Sequence, residues 1–445
     1  MSKSFEARLS NFVFLISCFL IIYMPLHVFI VQSVSLLTGG LEVWKAAKDV
    51  LVFLLLPFLI YEAVRRELFK DKIFRWLVIL GASYGLLHGI FLLFHRGTDL
   101  TSTIIACSYN TRILIYLFLG YLLGTSHNAK KYSKFLLTTV VIIASLVALF
   151  GVMQYFLPKD MLTHVGYTLE RGVKPMFFID DKPDLPRVMS TLKDPNSLGA
   201  YLILPILITA YALLKKRVND NLFTRPFRRG TLCVMLGLQI LALFLTFSRG
   251  ALLALIISTV TILSIVTGER VWIFIKKHWI YFVVLIFIIP YSLFIFRNTY
   301  VFQNLVFHAD QSTVLEDPNE LRVSLTKQAI NEIEKQPLGH GPGTAGLVAI
   351  RNPQKGMLTE NYYLQIAHEV GIIGLIIFVA ILCIVTVRLF NLARGGDEIS
   401  QTVFSAMIAY SFYALLIHLW SNEAVAYQFW LLSGLGLISI GRKKI

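Results

Sequence analysis

A short polar segment between two long apolar runs contains the arginine of this sequence that is best suited to chemistry. The segment reads Thr246-Phe247-Ser248-Arg249-Gly250 and leaves almost no loop between the runs. A charged side chain costs roughly 2.5–3.5 kcal/mol at the centre of a membrane helix and less near the interface. Arg249 therefore either extends to lipid headgroups, with Ser248 and Gly250 forming the turn, or offers its planar guanidinium group to a phosphate or pyrophosphate.

A second group of candidates opens another apolar run further along the chain. Glu360-Asn361-Tyr362-Tyr363-Leu364 is followed by His368, eight residues after Glu360. On a continuous helix this spacing is just over two turns and puts both side chains on roughly the same face. An acidic residue at a helix start often only complements the helix dipole. Titratable groups at the mouth of a membrane cavity are also good general bases, and the sequence leaves both interpretations open.

Two further segments contain polar residues for which the sequence favours structural roles. Arg187 precedes Asp194-Pro195-Asn196-Ser197, in which Asn196 or Ser197 is predicted to cap a helix, although a helix N-terminus also attracts anions. Gly339-His340-Gly341-Pro342-Gly343 is predicted to be a turn, since it lacks the Lys-Ser/Thr and the strand–helix context of a P-loop. The four cysteines lie inside apolar runs without metal-like spacing, so we predict no disulfide framework and no metal site.

The composition indicates the fold that must position these residues. Of 445 residues, 56% are hydrophobic and only 15% are charged, whereas soluble domains have roughly 25% charged residues. Apolar runs of about 20 residues recur along the chain. The sequence therefore predicts an all-α polytopic membrane protein with a single integral membrane domain over residues 1–445.

The first run, 12–37, is predicted to be a retained helix rather than a cleaved signal peptide. Nucleic-acid binding is excluded as the first explanation of the net charge of +15.

The apolar runs predict twelve membrane spans, two long loops and an orientation. An even number of spans puts both termini on one side, and the short loops on that side contain most of the lysines and arginines, so the positive-inside rule assigns that side to the cytoplasm. The long loops, 158–196 and 298–363, are then extracytoplasmic, and the second is predicted to contain an amphipathic helix from Pro318 to Pro337. Arg249 is also predicted on the outer side, although lysine and arginine are usually enriched on the cytoplasmic side. This departure favours a function for Arg249. The spans are predicted at roughly 12–37, 45–64, 73–95, 103–124, 132–157, 197–214, 230–248, 250–267, 279–297, 364–388, 403–421 and 426–441.

Three segments together resemble the O-antigen ligase and polysaccharide polymerase superfamily of bacterial envelopes. They are Thr246 to Leu253, the stretch from Arg322 through the amphipathic helix to Gly343, and Glu360 to Leu364 with Glu369 to Leu375. The segment from Asp194 to Gly199 also looks like the one before the sixth helix of that family. The resemblance covers residues 187–375, and the order and spacing of the segments are more specific than any single motif.

The resemblance implies a membrane glycosyltransferase with a GT-C-like multi-helix architecture. Such an enzyme takes a glycan from an undecaprenyl-diphosphate donor and places it on the hydroxyl of a glycan or lipid acceptor, outside the bacterial cytoplasmic membrane. It is expected to invert the anomeric carbon, to need no cofactor or metal, and to work with a chain-length regulator. The implied roles are pyrophosphate binding by Arg249, Arg322 and Arg187, a general base at Glu360 with His368 as the second candidate, and substrate lining by Ser248, Asn196, Asn361, Tyr362, Tyr363 and His340.

One position departs from the family pattern and bears on the reaction. Family ligases that attach O-antigen to the lipid A core typically have His before the Asn of the last motif, where this chain has Glu360. The difference favours a repeat-unit polymerase over a ligase. A lipid-linked oligosaccharide flippase or other transporter is the alternative from another class, because twelve spans with both ends inside is also a common transporter plan. It is disfavoured because the sequence shows no internal repeat and its polar candidates cluster at the outer interface.

Overall fold

Helices make up most of the structure. The computed structural model describes residues 3–94, 99–179, 182–214, 227–268, 277, 318–349 and 356–439. Short 3-10 turns lie at Leu68–Lys70, Met161–Val165, Leu169–Arg171 and Leu419–Ser421. The α-helices are α1 (Lys3–Thr38), α2 (Leu41–Leu54), α3 (Leu56–Arg65), α4 (Lys72–Phe94), α5 (Leu100–Gly124), α6 (Ala129–Phe156), α7 (Pro195–Leu214), α8 (Arg229–Leu245), α9 (Arg249–Thr267), α10 (Pro318–Lys335), α11 (Gly346–Ala349), α12 (Tyr362–Arg394), α13 (Glu398–Tyr413) and α14 (Glu423–Gly436).

Seven of the described helices are long and apolar enough to cross a membrane. They are α4, α5, α6, α7, α9, α12 and the part of α1 from Ser10 to Thr38. This finding confirms the prediction of a helical multi-pass membrane protein. The number of twelve spans, the orientation of the termini and the GT-C-like architecture stay predictions, and the predicted span 279–297 lies outside the described residues.

Three predicted spans differ in detail from the helices found there. The segment 45–64 contains two helices, α2 and α3, with a break at Leu55. Pro57 lies in the first turn of α3 and has no amide hydrogen to continue the ladder of α2, which accounts for the break. The segments 403–421 and 426–441 contain the shorter helices α13 and α14, which both begin earlier in the sequence than predicted.

The two helices α5 and α14 make the most extensive helix–helix contact in the bundle. Gly120 and Gly434 bring their backbones together. A Cβ on Gly120 would lie 1.9 Å from the carbonyl oxygen of Leu431, and one on Gly434 would lie 2.0 Å from that of Leu117. Small residues allow such close crossings in membrane proteins, where packing rather than water exclusion drives helix association.

The first long loop contains a β-hairpin that the all-α prediction missed. Strands β1 (Phe177–Ile179) and β2 (Lys182–Arg187) pair in antiparallel fashion. Their brevity and the prolines Pro183 and Pro186 hide them in the sequence, because proline cannot donate to a strand ladder and normally argues against a strand. The hairpin ends at Arg187, and the next amide, that of Val188, donates to the carbonyl oxygen of Leu245 at the end of α8 (3.1 Å).

The second long loop contains the predicted amphipathic helix, which is α10. Ala329 and Ile333 are buried and Leu325 is half-buried, at the four-residue spacing expected for one helical face. This face contacts α12. The helix therefore lies against the bundle and can fix residues of the second loop relative to the start of α12.

Candidate active site

Three segments, the β-hairpin, the start of α7 and the turn before α9, meet at one end of the bundle. We call it the loop end, because it contains the described residues of the two long loops. Arg187, at the end of β2, connects the hairpin to the other two segments. Its Nε donates to the carbonyl oxygen of Thr246 (2.9 Å) and its Nη2 donates to Asn196 Oδ1 (3.2 Å). One guanidinium group thus connects the hairpin, the start of α7 and the turn before α9.

The turn before α9 has a constrained shape that positions Arg249. Phe247 has a φ of 48°, in the left-handed region that residues other than glycine rarely adopt. Ser248 caps α9, and its Oγ lies 2.9 Å from the hydroxyl of Tyr413 in α13. Gly250 permits this approach, since a Cβ there would lie 2.5 Å from the Tyr413 ring. Arg249, the first residue of α9, is exposed beside this fixed turn.

The start of α7 is capped, but by a different residue from those predicted. Asp194 accepts hydrogen bonds from the amide of Ser197 (2.8 Å) and from its hydroxyl (2.7 Å). This corrects the prediction of Asn196 or Ser197 as the cap. The Asp194 carboxylate, one residue before Pro195, accepts from the free amide of Ser197, and the Asn196 side chain instead accepts from Arg187.

Arg322 and Glu360 form an ion pair across the second long loop. Arg322 Nε donates to Glu360 Oε2, which links α10 to the residue just before the cap of α12. Both side chains remain partly exposed, 44% for Arg322 and 36% for Glu360. The residue predicted to bind the donor and the residue predicted to act as base therefore contact each other, which the sequence analysis did not foresee.

The three arginines predicted to bind pyrophosphate lie close enough to interact electrostatically. Burial lowers the pKa of Arg187, Asp194 and Tyr413 oppose this shift, and the positive charges of Arg249 and Arg322 lower the pKa further. We call these three residues the arginine cluster. An anion with several negative charges would relieve their mutual repulsion and accept bidentate hydrogen bonds from them.

The glycine-rich loop has a structural role, as the sequence favoured. Helix α12 is kinked at Gly371, whose φ of 75° suits glycine. The kink frees two backbone carbonyl oxygens of α12 for the loop. The amide of His340 donates to the carbonyl oxygen of His368 (2.8 Å), and the amide of Gly341 donates to the carbonyl oxygen of Glu369 (2.9 Å). These loop amides are therefore engaged within the protein rather than presented to a phosphate.

His368 does not share a helical face with Glu360. Because α12 begins at Tyr362, Glu360 lies outside the helix and the predicted two-turn spacing does not apply. His368 is buried, with Nδ1 3.1 Å from Thr344 Oγ1 and its ring stacked on His340 at 4.1 Å between centroids. Glu360 is the more accessible of the two candidate bases.

The residues at the start of α12 contact neighbouring helices of the bundle. Tyr362 is fully buried, and its hydroxyl donates to Asn110 Oδ1 (3.4 Å). Tyr363 is half-buried and donates to the carbonyl oxygen of Ser411 (3.0 Å). Asn361 uses its side-chain oxygen to cap α12. The first turn of α12 thus contacts its neighbouring helices, and the predicted lining of a substrate path by these residues stays a prediction.

Glu369 is a residue whose importance the sequence analysis missed. It is fully buried in α12 and accepts hydrogen bonds from the amide of Gly343 (2.9 Å) and from Asn110 Nδ2 (2.8 Å). The same Asn110 nitrogen lies 3.2 Å from His88 Nε2 in α4. Glu369 therefore ties the glycine-rich loop to α5 and α4. The signal in the sequence was an acidic residue inside a long apolar run, which is costly without partners.

Replacing Glu369 with glutamine is expected to lower the free energy of unfolding by about 1–3 kcal/mol. An amide has one acceptor oxygen where the carboxylate has two, so either Gly343 or Asn110 loses its partner. Denaturant titration of the purified protein in detergent measures the change, with Glu334→Gln on the exposed side of α10 as the matched control. Equal stability of the two variants would contradict the role of Glu369.

Comparison with known proteins agrees with the resemblance seen in the sequence. Residues 234–379 match the family model described as O-antigen ligase. The chain is also 23% identical over 239 residues to a protein named O-antigen polymerase from Salmonella muenchen. Both matches support the resemblance of the chain to the O-antigen ligase and polymerase superfamily. The predicted resemblance is therefore confirmed.

The superfamily match covers most of the candidate site. The matched residues include Arg249, Arg322, Glu360 and His368, whereas Arg187 precedes them. The alignment with the Salmonella muenchen protein covers 54% of this chain and 56% of that protein, so the chain spans about half the length of this relative.

Proposed function

We propose that this protein is a membrane glycosyltransferase that polymerises repeat units of a surface polysaccharide. The donor is a glycan on undecaprenyl diphosphate, and the reaction takes place on the outer face of the bacterial cytoplasmic membrane. The observation that carries the proposal is the arginine cluster, in which guanidinium groups from three separate segments interact electrostatically and one of them, that of Arg322, contacts the accessible carboxylate of Glu360. The similarity to the O-antigen ligase and polymerase superfamily supports it.

The chemistry of the cluster suits a diphosphate leaving group. Arg249, Arg322 and Arg187 would bind the diphosphate and stabilise the negative charge that grows on it as the anomeric carbon–oxygen bond breaks. The acceptor hydroxyl attacks the anomeric carbon from the opposite side, which inverts its configuration, and Glu360 takes the hydroxyl proton. The diphosphate leaves with the bonding electron pair, and no step needs a metal or cofactor.

The ion pair between Arg322 and Glu360 gives this mechanism an order. A diphosphate that binds Arg322 competes with the carboxylate of Glu360 for the same guanidinium group. Donor binding would therefore release Glu360 to accept a proton, and the base would become available only when a leaving group is in place.

A polymerase is favoured over a ligase by a single position. Glu360 stands where ligases that act on the lipid A core typically have His, and the matched relative is named a polymerase. A ligase that attaches the finished glycan to lipid A core or another acceptor is the second candidate, since the superfamily includes both. A chain-length regulator is a further partner that a polymerase would use.

A gel of envelope glycans from a deletion strain, beside strains complemented with the wild type and with Glu360→Ala, tests the proposal. We expect single repeat units on the acceptor in the deletion and Glu360→Ala strains, and long chains with the wild type. Long glycan on undecaprenyl diphosphate with a bare acceptor would assign the ligase instead. An unchanged glycan pattern would reject glycan transfer and favour a transporter.

A further inference from the structure

A cavity of about 690 Å³ lies at the loop end and contains none of the candidate site residues discussed so far. It is bounded by the ends of α1, α2, α5 and α14, by residues 170–173 of the first loop and by residues 347–348 after the glycine-rich loop. Ligand-binding cavities usually measure about 300–1,000 Å³, so this one has room for a substantial ligand.

The lining of this cavity mixes apolar side chains with charged ones, and the charges are balanced. It contains four basic residues and four acidic ones, which are Lys45, Lys48, Arg171, Lys193, Glu42, Asp99, Glu170 and Glu423. The arginine cluster, in contrast, is dominated by positive charge. Sugar hydroxyl groups both donate and accept hydrogen bonds, so a wall with carboxylates and cationic donors in equal number suits them. It is less suited to a diphosphate.

The floor of the cavity is a fixed network of buried charges. Glu423, at the start of α14, lies 3.9 Å from Lys48 Nζ and 3.9 Å from Arg112 Nη2. Asp49 completes the network, at 2.8 Å from Arg112 Nη1 and 3.2 Å from Lys48 Nζ. Arg112 is fully buried. Charges buried in a helical membrane bundle are costly and are a mark of functional sites.

The cavity adjoins the arginine cluster on one wall and the contact of Thr344 with His368 on another. Lys193 lines the cavity, and the next residue, Asp194, lies beside Arg187. On the other wall, Leu347 follows closely after Thr344, which contacts His368. Within the described part of the chain, no residue accepts a hydrogen bond from the Lys193 ammonium group, so this donor is available to a ligand.

We infer that this cavity binds the sugar part of a lipid-linked glycan, while the arginine cluster binds its diphosphate. The inference rests on the proposed function, because that function supplies the glycan. The side chains of Lys193 and Glu170 contact the sugar hydroxyls from the first loop. The buried network around Glu423 provides a rigid floor for the hydroxyls on the opposite side.

Binding of two probes to the full-length protein in lipid nanodiscs tests the inference. One probe is the repeat-unit oligosaccharide released by mild acid from the surface polysaccharide of the source strain, and the other is farnesyl diphosphate. We expect Lys193→Gln and Glu170→Gln each to weaken oligosaccharide binding about tenfold and to leave farnesyl diphosphate binding unchanged. Lys174→Gln, on an exposed residue of the same loop outside the cavity, is the matched control.

The outcomes separate this inference from the proposed function. Oligosaccharide affinity that is absent in the wild type, or equal in the wild type and in both cavity variants, would overturn the cavity assignment. Arg249→Lys should weaken binding of farnesyl diphosphate and leave the oligosaccharide affinity unchanged. If Arg249→Lys binds farnesyl diphosphate normally while the cavity variants lose the oligosaccharide, the diphosphate role fails and the cavity assignment stands.

Discussion

Replacing Arg249 with lysine is expected to lower polymer formation by about 10²–10³-fold, the usual effect of removing one preorganised group that stabilises charge in a transition state. Lysine keeps the positive charge but loses the planar fork that holds two phosphate oxygens at once. The turn before α9 is fixed by the contact of Ser248 with Tyr413, so the backbone has little freedom to bring a lysine into the same position.

Polymer synthesis by membranes that contain equal amounts of each variant measures this effect. Arg229→Lys is the matched control, because this exposed arginine lies at the other end of α8, away from the turn. Near-normal synthesis by Arg249→Lys would reject a phosphate-binding role and support the interpretation of Arg249 as a headgroup contact. An equal loss in both variants would indicate a general effect on insertion or folding.

The arginine cluster was partly predictable because its signal is local. A charged residue between two apolar runs stands out in the sequence, and Arg249 could be singled out on energetic grounds alone. Arg187 and Arg322 were assigned to pyrophosphate binding only through the resemblance to a family. Their approach to Arg249 depends on the hairpin and on the packing of α10 against α12, and neither has a strong signal in the sequence.

Side-chain direction was harder to predict because lipid and protein interior are both apolar. In α12 the side chains of Ile373 and Ile376 are exposed while those of Phe378 and Ile381 are buried, yet all four are equally apolar. Periodicity therefore does not tell which face of a membrane helix packs against its neighbours. The burial of Tyr362 among neighbouring helices could not be predicted for this reason.

Pairings between distant segments were not accessible from the sequence either. Asn110 and Glu369 belong to helices far apart in the chain, and their hydrogen bond appears only when α5 and α12 are packed together. The balanced charges of the 690 Å³ cavity at the loop end are likewise spread over several segments of the chain. Each residue alone is an ordinary loop or helix-end charge, and only their convergence indicates a site.

Replacing Glu360 with glutamine is expected to lower turnover by about 10²–10⁴-fold, the range for loss of a general base. The same change should leave diphosphate binding intact or strengthen it by up to about fivefold, because an exposed ion pair that competes for Arg322 is removed. Opposite effects on binding and turnover are not expected from a residue that only holds Arg322 in place. Turnover in the polymer assay and the affinity for farnesyl diphosphate measure the two effects separately.

A double-variant comparison separates the base from a purely positioning residue. If Glu360 only orients Arg322, the double variant should lose no more turnover than Arg322→Gln alone, since Glu360 has no effect once the side chain it orients is removed. If Glu360 is the base, Arg322→Gln should mainly weaken donor binding, and the double variant should be worse than either. Glu360→His offers a third measurement. An imidazole is unprotonated above its pKa of about 6.5, so restored activity that rises between pH 6 and 8 would identify this position as the proton acceptor.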